Sequence, residues 1–125
     1  MSSRPLLDRA IFDDLVATIG QAGTRSVTEL FVAESAAYVA AITEGAARTD
    51  DAAGRERARR AAHALKSGAG QLGGAALAAA AAAVEQAAAG GSADLQAVVA
   101  GLTACAEETT AAFRDALAGL SGGSG

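Results

Sequence analysis

The chain has 125 residues, one histidine, one cysteine and one proline, with a formal net charge of −4. That length favours a single domain with a real core, the acidic balance argues against nucleic acid or an anionic membrane as main partner, and a lone cysteine, Cys105, excludes an internal disulfide and suggests a reducing compartment. Hydrophobic residues make up 51% and aromatics 3%, and much of the apolar share is alanine, which forms helices well but buries little area; with Pro5 the only proline, the composition predicts an all-α fold of closely packed helices.

In chain order, Asp8 is the N-cap of a short first helix with Ile11, Phe12, Leu15, Val16 and Ile19 as its apolar stripe. Gly20 and Gly23 close it. A second helix is expected to begin at Thr24–Ser26, where Ser26-Val27-Thr28-Glu29 has the form of a capping box and Thr24 is a competing cap. Its apolar positions are Val27, Leu30, Phe31, Ala37, Tyr38, Ala41 and Ile42. A third helix starts within residues 50–55, capped by Asp50 or Asp51, and runs to about Gln71. Gly73-Gly74 makes a tight turn into a fourth helix from Ala75 to about Ala89, with Leu77, Ala81, Val84 and Ala88 on its inner stripe. Ser92 caps a fifth helix, whose inner face holds Leu95, Val98, Val99, Leu102, Cys105, Ala106, Thr109, Phe113, Leu117 and Leu120. Residues 121–125, Ser-Gly-Gly-Ser-Gly, read as a flexible tail behind a domain spanning 1–120. Short connections make these helices antiparallel neighbours, so helices two to five form an up-down-up-down four-helix bundle and the first caps one end.

No apolar run reaches membrane-spanning length without a charge or a glycine pair, and the N-terminus lacks a signal-peptide core. A cytoplasmic location is expected.

The third helix carries the chemistry. Positions i, i+3, i+4 and i+7 share a helix face, which aligns His63, Lys66, Ser67 and Gly70, with Arg59 and Arg60 a turn upstream. The buried stripe, Ala58, Ala62, Leu65, Ala69 and Leu72, lies about 100° away, so His63 sits beside the core and not in it. One histidine and one distant cysteine make a poor metal site, and Ser67 lacks an oxyanion donor or an acidic orienter for hydrolysis. Phosphoryl chemistry fits better. An imidazole can carry a phosphoryl group on a ring nitrogen, Lys66 and Arg59 can pair with its oxygens, and Ser67, Gly68 and Gly70 leave room for another protein to approach. The chain has no Gly-x-x-x-x-Gly-Lys loop, so it has no evident means of drawing phosphate from ATP.

His63-Ala-Leu-Lys66-Ser67-Gly68, followed by Leu72-Gly73, Leu77 and Val84-Glu85, resembles the signature of histidine-containing phosphotransfer (HPt) domains over essentially Asp8 to Leu120. The resemblance implies that His63 is phosphorylated, that Lys66 neutralises the phosphoryl group, and that Glu85 accepts a hydrogen bond from the other ring nitrogen, with Gln86 the alternative if the register slips by one. It departs at Ser67, where many members have glycine. It further implies exchange with aspartates of response-regulator receiver domains, or with a hybrid sensor histidine kinase, as a phosphocarrier without kinase activity. The partner would supply Mg²⁺, so this chain needs no cofactor or metal of its own. The docking face would take Arg59, Arg60, Ser67, Gly68 and Gly70 from this helix, with Phe12, Phe31 and Tyr38 as candidates from the first two. A stand-alone monomer is expected. The competing expectation is an Ala-rich helical adaptor that binds a receiver or kinase without being phosphorylated.

Overall fold

Asp8 is extended, and its carboxylate accepts hydrogen bonds from the backbone N–H groups of Ala10 (3.0 Å) and Ile11 (3.5 Å), which starts α1 (Arg9–Ala46). This computed structural model describes residues 5–47, 51–90 and 94–123, with side chains to Leu120. Gly20 breaks α1 with φ 82° and ψ 172°, a backbone conformation that residues bearing a Cβ rarely adopt. Helix resumes at once, and the Thr24 hydroxyl donates to the Gly20 carbonyl oxygen at 2.7 Å. The expected start at Thr24–Ser26 is therefore too late. Ser26 is exposed within the helix and caps nothing, and Gly23 does not interrupt it.

Asp51, extended, accepts from Ala53 N–H at 3.0 Å and opens α2 (Ala52–Leu72); Asp50 lies outside the described residues. Gly73, at φ 92°, ends α2 in the left-handed region, and Gly74 N–H closes the turn on the Ala69 carbonyl at 2.7 Å. α3 (Ala75–Gly90) follows directly. α4 (Leu95–Gly123) overlaps the start of the expected Gly/Ser tail, and the expected Ser92 cap lies outside the described residues.

α1 packs on α2 and α4, and α3 on the same two, so α2 and α4 occupy opposite corners of a closed bundle. The inner stripes expected for α2 and α3 are all buried: Ala58, Ala62, Leu65, Ala69 and Leu72, then Leu77, Ala81, Val84 and Ala88. Phe113 from α4 meets Phe31 edge-on with ring centroids 5.7 Å apart. The segment before Gly20 closes the end of the bundle where α2 turns into α3. Asp8 N–H donates to Gly73 O at 2.7 Å, Ala76 N–H donates to Pro5 O at 2.9 Å, and Phe12 is fully buried in the core.

α1 departs from its expected stripe. Val27 and Leu30 are exposed, at 38% and 59%, as are Ala37 and Ala41, while Thr24, Thr28 and Ser35 are buried. The Thr24 and Ser35 hydroxyls donate to carbonyls of their own helix, Gly20 and Val32, so their remaining surface packs without an unmet polar group. Thr28 Oγ1 is buried without a protein partner.

Candidate functional site

α2 and α3 pack along one seam because each presents a small or branched apolar stripe to the other, and that seam sets the site. His63 projects from α2 with 59% of its side chain exposed, and Glu85 reaches it from α3 with 18% exposed. Glu85 Oε2 lies 2.7 Å from His63 Nδ1, and Glu85 Oε1 accepts a hydrogen bond from Lys66 Nζ at 2.7 Å. One carboxylate thus bridges the imidazole and the ammonium. Gln86, the neighbour left open by sequence, is exposed.

The electrostatics follow from that bridge. The Lys66 hydrogen bond holds the Glu85 carboxyl below the usual carboxylate range, burial pushes the other way, and the His63 contact adds to the lowering. An ionised carboxylate only accepts hydrogen bonds. The Nδ1 atom must then carry a proton, and in that tautomer of the imidazole the lone pair is on Nε2.

Upstream, Glu56 gathers both arginines. Its Oε1 accepts from Arg59 Nε at 2.9 Å, and its Oε2 from Arg59 Nη2 at 2.8 Å and Arg60 Nε at 3.0 Å. These bonds lower the Glu56 carboxyl from its usual 4.5 to about 2, Arg59 contributing most. The same contact raises Arg59, which also feels the charge of Glu85. Arg60–Glu56 is an i,i+4 pair, and the two-pronged grip on Arg59 adds an i,i+3 contact to it.

The small residues divide into two kinds. A Cβ on Gly68 would stand 3.2 Å from two carbons of the Phe31 ring, so Gly68 admits that ring between α1 and α2. A Cβ on Gly70 would meet nothing within 4 Å, and both Gly70 and Ser67 are exposed. A shallow groove lined by Ile11, Lys66, Gly70, Gly73, Ala75, Ala78 and Ala79 runs beside the lysine.

Two residues expected on the docking face do not reach it. Phe12 is fully buried and Phe31 only 7% exposed, because both rings pack into the core. The exposed large apolar side chains of α1 are instead Ile11, Ile19, Val27 and Leu30. Periodicity assigned them to the core, so only their packing separates them from it. Among the described residues, no cluster of His, Cys, Asp and Glu could hold a metal ion, and no helix is long and apolar enough to cross a membrane.

The sequence profile of the Hpt domain family matches residues 26–122. No curated protein sequence matches the chain. Among solved structures, the chain is similar to histidine-containing phosphotransfer protein B (HptB) from Pseudomonas aeruginosa PAO1, with a TM-score of 0.80 and 20% identity over 92% of this chain and 96% of that one. That likeness extends to the fold.

Proposed function

We propose that this chain, which belongs to the Hpt domain family, carries a phosphoryl group on His63 and exchanges it with aspartates of receiver domains in a two-component phosphorelay. The observation that carries this reading is the 2.7 Å contact between Nδ1 of an exposed histidine and a carboxylate that is ionised and lodged between helices.

The Nε2 lone pair attacks phosphorus of the receiver's aspartyl phosphate. A P–N bond forms, the P–O bond to the aspartate breaks, and its electron pair leaves with the carboxylate. The ring gains positive charge as the bond forms, and Glu85, already aimed at Nδ1–H, stabilises it in place. Lys66 stands one helical turn from the ring, where its ammonium can pair with the arriving phosphoryl oxygens. The reverse step restores the neutral ring. Mg²⁺ in this reading belongs to the receiver's aspartate site. The chain acts as a monomeric cytoplasmic phosphocarrier with no kinase activity. Its docking face takes Ser67 and Gly70, Ile11 beside Gly70 in the shallow groove, and the exposed α1 side chains Val27 and Leu30.

The test is transfer from a phosphorylated receiver domain, followed as acid-labile, base-stable label. Wild type takes up label and His63→Gln takes up none. Equal uptake by both overturns the reading and favours a non-phosphorylated adaptor.

A further inference from the structure

The charges of this protein are unevenly shared among its helices. α1, packed against α2, carries Asp13, Asp14, Glu29, Glu34 and Glu44 against Arg9 and Arg25, α3 carries Glu85, and among the described residues α2 alone has an excess of cations. α2 carries Arg55, Arg57, Arg59, Arg60 and Lys66 against Glu56 as its one acidic residue, inside a chain of net charge −4. Arg57 is exposed, and the side chain of Arg60 is 76% exposed. At 1.5 Å of rise per residue, the five cations fall within about 16 Å of helix, with His63 inside that span. α4, at the opposite corner of the bundle, exposes Glu107, Glu108 and Asp115 with Arg114 as its one cation among the described residues. The positive end of the resulting dipole is therefore the helix that bears the histidine.

We infer that the α2 strip steers an acidic receiver domain onto His63, and that Arg57, outside the reacting group, is part of it. This rests on the phosphotransfer reading above. The surface such a partner presents is built on carboxylates, the acceptor aspartate together with those that bind Mg²⁺, inside a site that must attract cations. A strip of one sign raises the local concentration of an oppositely charged partner and can speed encounter by about 10- to 1000-fold. Turned the other way, the bundle offers the same partner the acids of α4. The segregation thus selects the productive orientation before any contact forms. Glu56 serves this surface by holding Arg59 and Arg60 side by side through three hydrogen bonds of 2.8 to 3.0 Å. Arg57 lies six residues before His63, about 9 Å along the axis, so its effect belongs to encounter and not to chemistry.

The experiment loads His63 with radiolabelled phosphate from phosphoramidate and offers the chain to a panel of purified receiver domains. For the fastest acceptor, kcat/KM should fall about tenfold between roughly 0.05 M and 0.5 M KCl, as the screening length shrinks from about 14 Å to about 4 Å. The change should sit in KM, with kcat constant. Arg57→Glu should lower kcat/KM at low salt and flatten its salt dependence, and Arg57→Lys should restore both. Arg114→Glu, the same charge change on α4, should leave transfer unaltered. Transfer that is indifferent to salt, or equally affected by Arg57→Glu and Arg114→Glu, overturns the steering. Label accepted by no receiver overturns the phosphotransfer reading itself.

Discussion

His63 Nδ1 and Glu85 Oε2 stand 2.7 Å apart across the α2–α3 seam, and the second oxygen of that carboxylate holds Lys66 at the same distance. Glu85→Gln and Glu85→Ala separate these two duties. The glutamine can still accept from Nδ1–H through its amide oxygen, but it no longer offers Lys66 a charge. Transfer should fall about tenfold in Glu85→Gln and about 100-fold in Glu85→Ala, by analogy with the roughly 10- to 100-fold losses on removing the group that orients a metal-ligating histidine. Single-turnover rates with a phosphorylated receiver measure both. A glutamine variant as fast as wild type would show that the negative charge is dispensable.

Stability should depend on acid pH in a defined direction. Glu56 titrates at about 2 in the folded chain against a usual 4.5, and Glu85 is also lowered. A depressed folded pKa gives stability that is complete above the unfolded value and lost as pH falls through the folded one. Thermal unfolding should therefore be steady above pH 4.5 and decline from there toward pH 2. Glu56→Gln should show a shallower decline, since it has no such proton to take up. An unchanged slope would mean that the arginine contacts do not persist in solution.

Glycines 70 and 73 should respond in opposite directions. Gly73 has φ 92°, and a Cβ there would come within 2.9 Å of the Asp8 carbonyl oxygen. Gly73→Ala should cost about 2 kcal/mol from backbone strain and displacement of the N-terminal segment. Gly70 is helical with open space above it, so Gly70→Ala should gain up to about 1 kcal/mol from helix propensity. Gly70→Trp should fold yet block transfer, because its bulk occupies the approach to His63. Urea unfolding and the transfer assay together decide each case, and a destabilised Gly70→Ala would contradict the open surface.

Leu30 and Phe31, adjacent in sequence, should separate docking from folding. Leu30 is 59% exposed, whereas Phe31 is 7% exposed and packs on Phe113 and Gly68. Leu30→Asp should leave the unfolding midpoint nearly unchanged and raise KM for a receiver domain. Phe31→Ala should cost about 3 to 5 kcal/mol of stability, as large cavities in aromatic cores do. If Leu30→Asp left KM untouched, the apolar rim would have no part in docking.

The sequence carried the inner face of α3 completely and that of α2 apart from Gly54 and Ala61, because Ala58 to Leu72 and Leu77 to Ala88 repeat with helical spacing. The histidine and its lysine were readable through the same spacing, and the glutamate through the resemblance to HPt domains, although nothing in the chain alone chose Glu85 over Gln86. That choice depends on how far α3 slides along α2, which the two-glycine turn and the packing of Leu77 and Val84 determine. α1 was misread for a physical reason. A threonine or serine that bonds its own helix can be buried at little cost, so Thr24 and Ser35 took core positions that periodicity gave to larger residues. The apolar side chains they displaced, Val27 and Leu30, mark the surface that Phe12 and Phe31 were expected to form.

The bonds from Pro5 and Asp8 to Ala76 and Gly73 join the beginning of the chain to its middle, and this has a consequence for the order of assembly. The hairpin of α2 and α3 is closed by two glycines and is local, so it can form early. Asp8, which caps the segment from Arg9 to Ile19, finds the carbonyl partner for its N–H only once Gly73 has turned. Its docking is then a late, separable step, and Phe12 is the plug that goes in last. Native-state hydrogen exchange should find the amides of residues 10–19 opening in events that leave α2 and α3 protected. Equal protection would mean that the plug and the hairpin come apart together.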